Sequence, residues 1–234
     1  MNKKLKRIQR IFKHGIPVIG VSNSLIRDIK LFSNANFKTH ILPNVVDTID
    51  FSPEKDIKRE DFFFMVSNWK WPKKPLILLQ AFKAFLKDHK NFRLKVGGFG
   101  PDYEKIEQWV IQNKMHGSVE LLGVLDQKAI AHNMIHSRAF LHCSRYETFS
   151  VVCAEAVISH TPCIVSDVGG IPEVVSPSEG ILIKSERVTE WVSAMKACLQ
   201  LEFHFKNGNV FSKNAIGIKY RSILAECITD FNKP

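Results

Sequence analysis

Seven short runs of β-branched and aromatic residues punctuate the chain, most of them separated by a longer amphipathic stretch, and this alternation limits the fold more than any other feature. The runs are VIGVS (18–22), FFFMVS (62–67), FRLKVGG (92–98), VELLG (119–123), AFLHCS (139–144), CIVSD (163–167) and GILIK (180–184). Helical patterns lie between or after them at 75–89, 102–115, 126–136, 150–159, 187–201 and 215–230. In the second of these, Ile106, Trp109, Val110 and Asn113 share one face at three- and four-residue spacing. Such alternation is the pattern of βαβ units, so the expected fold class is α/β, a doubly wound parallel sheet running from about residue 45 to the end. Ligands of such sheets bind at the carboxyl ends of the strands. The segment 42–61, rich in Pro, Asp and Asn, reads as a linker or irregular loop, which places a boundary near residue 42. Residues 1–41 then hold a basic helix, one strand and the helix SNSLIRDIKLFS, too little for a core of their own. Residues 42–234 form the main domain.

The loop after the AFLHCS run carries two acids. A helix beginning near Phe149 or Ser150 would aim free backbone N–H groups at the strand ends, where an anion gains hydrogen bonds and the helix dipole. Glu147 lies just outside that terminus. Ser144-x-x-Glu147 also matches a capping box, which would make the acid a stabiliser only. Glu155 follows about a turn and a half into the helix, among Val151, Val152, Ala154, Ala156, Val157 and Ile158. An ionised carboxylate there must find donors or bear a large desolvation cost. Either a basic side chain of the protein or two adjacent hydroxyls of a ligand would supply them.

Two other loops follow strands. Lys70, Lys73 and Lys74 in VSNWKWPKKPLILLQAF stand where a phosphate would bind, or form a solvated charge run. Gly97, Gly98 and Gly100 in KVGGFGPDYEK do not fit G-x-G-x-x-G, so they favour a tight turn over a nicotinamide-dinucleotide site. Gly169 and Gly170 also follow a strand and allow close backbone approach. His132 and His136 have the spacing of a helical metal pair but lack the intervening glutamate and a third ligand. No G-x-S-x-G or P-loop is present, and aromatics are not interleaved with basic residues, which argues against hydrolase and nucleic-acid readings.

Composition narrows the setting. Cys143, Cys153, Cys163, Cys198 and Cys227 are odd in number and lack C-x-x-C spacing, as expected of core thiols in a reducing compartment. The basic N-terminus is not followed by an apolar run of signal-peptide length, and no membrane-spanning run occurs, so the expected location is cytoplasmic. A net charge of +10 favours anionic partners. Lys3, Lys4, Lys6, Arg7, Arg10 and Lys13, with no acid between them, point to peripheral contact with anionic lipid at the inner membrane face.

Taken together, SRYETFSVVCAEAVISHTPCIVSDVGGIPEVV closely resembles the E-x7-E region of retaining GT-B glycosyltransferases of family 4 (group 1). LPNVVD is similar to that family's P-N-G-V-D segment, KVGGFGPDYEKIE to its G-x-G-P turn, and VELLGVLDQKAIAHNM to the strand and helix that follow; the likeness spans about residues 17–230. It implies that the chain is the Rossmann-like C-terminal half of a GT-B architecture. Glu155 would accept from the ribose hydroxyls of a nucleotide-sugar donor and Glu147 would contact the transferred sugar. The amides of Phe149, Ser150 and Val151 would hold the diphosphate with Lys73, and the backbone near Val124 and Leu125 would meet the base. Catalysis would then fall to Glu147 and Lys73 as electrostatic stabilisation, with no metal or cofactor implied. Asn68 stands where the family usually has an arginine, with Lys70 or Lys74 to compensate, and ETFS replaces E-G-F-G, so that Thr148 and Ser150 crowd the sugar loop. The implied substrates are a UDP- or GDP-sugar and a saccharide or lipid-linked acceptor, in cell-surface polysaccharide or glycolipid synthesis. The resemblance further implies that most of the acceptor domain is missing, with residues 1–41 expected to be its remnant. The alternative is therefore a truncated or split donor-binding subunit, inactive by itself and completed by an acceptor-domain chain.

Overall fold

The computed structural model of the chain describes residues 10, 12, 16–46, 50–53, 57–205 and 208–231. The basic segment 1–14, apart from Arg10 and Phe12, lies outside the described residues, and so does the lipid contact read from it. A small parallel unit comes first: β1 (Val18–Gly20), α1 (Asn23–Ser33) and β2 (Thr39–Ile41), with Val18 opposite Thr39. Ser22 caps α1 by accepting from Leu25 N at 3.1 Å, and Asn34 ends it in the left-handed region. Residues 1–41 were expected to hold one strand. β2 is a second, and THI is too short to carry a period-two signal.

The main sheet consists of β3 (Phe62–Asn68), β4 (Arg93–Phe99), β5 (Val119–Gly123), β6 (Ala139–His142), β7 (Cys163–Ser166) and β8 (Gly180–Ile183). All pairs are parallel, in the order β5-β4-β3-β6-β7-β8. Chain order runs outward from β3 to one edge, then returns to β6 and runs to the other. The crevice between the carboxyl ends of β3 and β6 is therefore the topological switch point, where ligands of such sheets bind.

Both faces are covered, which explains why β3 is apolar from Phe62 to Val66. Phe63 and Met65 enter one core layer with α2 (Pro75–Phe85), α3 (Tyr103–Gln112) and α7 (Val188–Cys198). Phe62, Phe64 and Val66 enter the other with α4 (Gln127–His136), α5 (Val151–Ile158) and α6 (Ile171–Val174). The last helix, α8 (Lys213–Phe231), turns back to the small unit: Glu226 pairs with Lys38 at 2.6 Å and lies 3.7 Å from His40. No described helix is long and apolar enough to cross a membrane.

Several helices are shorter than their periodicity suggested. α2 stops at Phe85 and α3 at Gln112, so Asn113 leaves the expected face and instead caps, donating Nδ2 to Trp109 O at 2.9 Å. Neither α6 nor the 3₁₀ turn Gly208–Phe211 was legible as a helix, each being only four residues long.

Candidate functional site

The loop after β3 and the loop after β6 are stitched together by their backbones. Lys74 N donates to Cys143 O at 2.9 Å, Arg145 N donates to Pro72 O at 3.1 Å, and Lys73 bridges Ser144 in antiparallel fashion. This pairing brings Lys73 against Glu147: the ammonium contacts Oε1, and both side chains are only 12% exposed. The same oxygen lies 2.8 Å from Nε2 of His142, the last residue of β6, and that nitrogen is 3.5 Å from the Lys73 ammonium. His142 was not anticipated. Its part depends on β3 and β6 being neighbours, which sequence spacing does not state.

Asn68, Lys70, Trp71, Pro72 and Lys73 face Tyr146, Glu147 and Thr148 across a cleft of about 210 Å³. Lys74, offered with Lys70 as compensation for Asn68, opens instead onto a neighbouring cleft with Asp102 and Lys105. Burial lowers the Lys73 ammonium to about 8, with Lys70 pushing the same way. Burial and, second, Lys73 depress the His142 imidazole to about 3, so it is neutral. The Cys153 thiol is pushed up to about 12 by burial and is no nucleophile.

α5 starts at Val151, one residue later than expected, with Ser150 as its N-cap. The Ser144 hydroxyl donates to Tyr146 O at 3.0 Å and does not reach the helix, so the capping-box alternative is corrected. Ser150 has φ 72°, a left-handed conformation costing roughly 1–2 kcal/mol for a residue with a Cβ. Its side chain makes no cap, and its hydroxyl turns to Cys153 Sγ at 3.1 Å. Ser150→Gly is therefore expected to raise unfolding stability by about 1 kcal/mol in urea titrations. A loss of stability would show that the Cys153 contact outweighs the strain. The amides of Phe149, Ser150 and Val151 have no hydrogen-bond partner among the described residues, leaving three donors at the α5 N-terminus.

Glu155 is the acid within the apolar run, and it is half-buried. Among the described residues its carboxylate makes no hydrogen bond or ion pair, and burial alone lifts it to about 7. The internal Lys or Arg offered as an alternative is therefore absent among those residues. Val124 and Leu125 follow β5, two strands from β3, and do not line the Lys73–Glu147 cleft. Two strand spacings amount to about 10 Å, a gap that an extended nucleotide can bridge. Val124 is exposed, whereas Leu125 packs on the core.

The glycines serve close approach. A Cβ on Gly169, at φ 54°, would stand 1.9 Å from Glu147 O, and Gly170 N donates to that oxygen at 2.9 Å. The glycine pair thus clamps the backbone of the Glu147 loop. A Cβ on Gly98 would strike Ser67 O at 2.0 Å, which favours the tight-turn reading there. α1 reaches the same loop: the Ser22 hydroxyl donates to Thr148 O at 2.6 Å. Glu173 of α6 accepts from Asn23 N, Asn23 Nδ2 and Ser24 N, each at 2.8 Å. These ties were not foreseen, although Glu173 falls within the quoted GGIPE motif.

The chain is similar to known proteins in sequence and in fold. The chain is 28% identical over 177 residues to the phosphatidylinositol N-acetylglucosaminyltransferase gpi3 subunit of Schizosaccharomyces pombe, covering 74% of this chain and 38% of that protein. It is 29% identical over 167 residues to the N-acetyl-α-D-glucosaminyl L-malate synthase of Bacillus anthracis, covering 68% and 43%. The chain thus spans less than half the length of either relative. In fold it is similar to S. aureus TarM, crystallised with fondaparinux, α-GlcNAc-glycerol and UDP, at a TM-score of 0.76 and 18% identity over 100% of this chain and 47% of that one. The family model described as glycosyl transferases group 1 matches residues 47–217, and with all of its main sheet and all of the cleft inside that match the chain belongs to this glycosyltransferase family.

Proposed function

We propose that the chain is the donor-binding half of a retaining, family 4 glycosyltransferase that uses UDP-N-acetylglucosamine. One set of observations supports the reading: the Lys73 ammonium meets Glu147 between the loops after β3 and β6, and in α5, which follows the second loop, three N-terminal amides and the Glu155 carboxylate have no hydrogen-bond partner among the described residues. Each part suits one part of the donor. The α5 amides and Lys73 take the diphosphate, and they stabilise the negative charge that grows on it as the glycosidic bond breaks. Glu155, which has no donor among the described residues, accepts from the ribose hydroxyls. Glu147 takes a hydroxyl of the transferred sugar. Asn68 and Thr148 border the cleft, and the backbone at Val124 and Leu125 meets the base. The sugar is read from the relatives, whose names specify N-acetylglucosaminyl transfer, and the base from the neighbour that holds UDP. Their acceptors differ, a phosphatidylinositol and a malate, so the acceptor here is given only as a saccharide or lipid-linked hydroxyl compound.

Titration calorimetry tests this directly. UDP and UDP-N-acetylglucosamine are expected to bind in the micromolar to millimolar range, with GDP weaker. A folded protein that binds none of the three refutes the proposal. A second reading is favoured by the same relatives: the S. pombe protein is named as one subunit, and the chain covers only 38% of it. In that reading the chain binds donor at the cytoplasmic membrane face but turns it over only with an acceptor-domain partner. Transfer by the isolated chain would exclude that requirement.

A further inference from the structure

Among the described residues the Glu147 carboxylate is hydrogen-bonded through one oxygen. Oε1 takes both the Lys73 ammonium and His142 Nε2, whereas Oε2 has no hydrogen-bond partner among the described residues. His142 is 2% exposed, and its ring stacks on Phe140 at 6.1 Å and 17°. A neutral imidazole carries a single N–H. An ionised carboxylate and an ammonium cannot both be served by an unprotonated nitrogen: the carboxylate only accepts and the ammonium only donates. With 2.8 Å to Glu147 and 3.5 Å to Lys73, the geometry assigns the proton to Nε2, donated to Glu147.

This arrangement matters once a diphosphate arrives. Lys73 contacts Glu147 and, in the donor-site reading, also serves the diphosphate, and turning toward phosphate weakens its hold on the carboxylate. A shielded carboxylate left without donors would rotate or take up a proton. His142 is fixed by its strand and by the Phe140 stack. We propose that His142 is a positioning residue for the sugar half of the donor: its Nε2–H holds Oε1 of Glu147, so that Oε2 stays ionised and free for a sugar hydroxyl while Lys73 serves the diphosphate. The inference rests on the donor-site reading above and adds a residue to it. His142 itself touches no substrate.

The test compares the affinities of UDP and of a UDP-sugar in three proteins: wild type, His142→Phe, which keeps a flat ring without the donor, and His142→Gln, whose Nε2 can reach the same place. UDP-N-acetylglucosamine, UDP-glucose and UDP-galactose are titrated, and the tightest with wild type is used. In His142→Phe the ratio of UDP-sugar to UDP affinity is expected to fall roughly tenfold, the size of a lost charge-assisted hydrogen bond, with UDP itself little changed. His142→Gln is expected to recover most of that ratio. An unchanged ratio in His142→Phe, or no recovery in His142→Gln, overturns the positioning role. A wild type that binds neither UDP nor any of the sugars overturns the donor-site reading instead. Nitrogen NMR of the wild-type imidazole decides the matter even where His142→Phe fails to fold: a neutral ring protonated at Nε2 is expected, and protonation at Nδ1 alone would refute the proposal.

Discussion

Glu155→Gln is expected to stabilise the protein and to cripple its ligand binding at once. Burial raises the Glu155 carboxyl from 4.5 to about 7, with no compensating donor among the described residues. The sign follows from linkage. In the unfolded chain the acid loses its proton near 4.5, whereas in the folded chain it keeps it to about 7. Between those limits the folded state binds more protons, so the favourable contribution is fully present below 4.5 and is lost as pH rises through about 7. A shift of that size corresponds to about 3 kcal/mol at pH 8. Glutamine keeps the shape and drops the charge. Urea unfolding at pH 8 is expected to show Glu155→Gln more stable than wild type by up to about 3 kcal/mol, the difference vanishing near pH 4. Equal stabilities at pH 8 would mean that the acid has a partner within the protein, and its assignment to a ligand would fall.

The same substitution is expected to weaken UDP binding by tenfold or more, since hydrogen bonds to a charged acceptor contribute about 1.5–3 kcal/mol. A UDP analogue lacking both ribose hydroxyls separates this from general damage. Wild type should prefer UDP over the analogue, and Glu155→Gln should lose the preference while binding the analogue as well as wild type does. A residue that destabilises its own fold at working pH is what a binding site for hydroxyl donors produces, because the ligand supplies what the protein withholds.

The fold was legible where burial on two faces forced unbroken apolar runs. FFFMV in β3 and the short runs of β6 and β7 could hardly be anything but central strands. β2 was hidden because three half-buried residues carry no pattern. The coarse site was legible too, since an acid inside VVCAEAVI is physically anomalous wherever it sits. The details that depend on which loops become neighbours were not. His142 reads as an ordinary strand residue until β6 lies beside β3. The α1 tie to Glu173 spans 150 positions in sequence. The capping box failed for a local reason: the Ser144 side chain found a nearer acceptor in Tyr146 O, and the helix began after the loop had already turned through Ser150. Ser150 itself could be flagged only through the resemblance, which puts glycine there, and its left-handed φ supplies the physical reason.

Lys73 is expected to set the alkaline limit of donor binding. Its ammonium, brought to about 8 mainly by burial, is charged at pH 7 and progressively neutral above 8, while a bound diphosphate favours the charged form. The Lys73 contribution to affinity should therefore be constant below about 8 and fall toward tenfold per pH unit above it, as binding comes to require uptake of a proton. UDP-N-acetylglucosamine is the proper probe, because its diphosphate is esterified at both ends and does not titrate in this range. On the acid side, Glu155 must be ionised to accept two hydroxyls, so affinity should rise as pH approaches about 7. The two groups together confine tightest binding to a window from about 7 to about 8. Lys73→Ala is expected to weaken binding by roughly tenfold to a hundredfold at pH 7.5 and to abolish the alkaline fall. Lys73→Arg keeps a charge that does not titrate, so whatever affinity it retains should hold constant from pH 7.5 to 9. An alkaline fall that persists in both variants would assign the limit to another group and remove Lys73 from the diphosphate site. Retained affinity in Lys73→Ala would do the same, leaving the α5 amides as the only anchor for the phosphates.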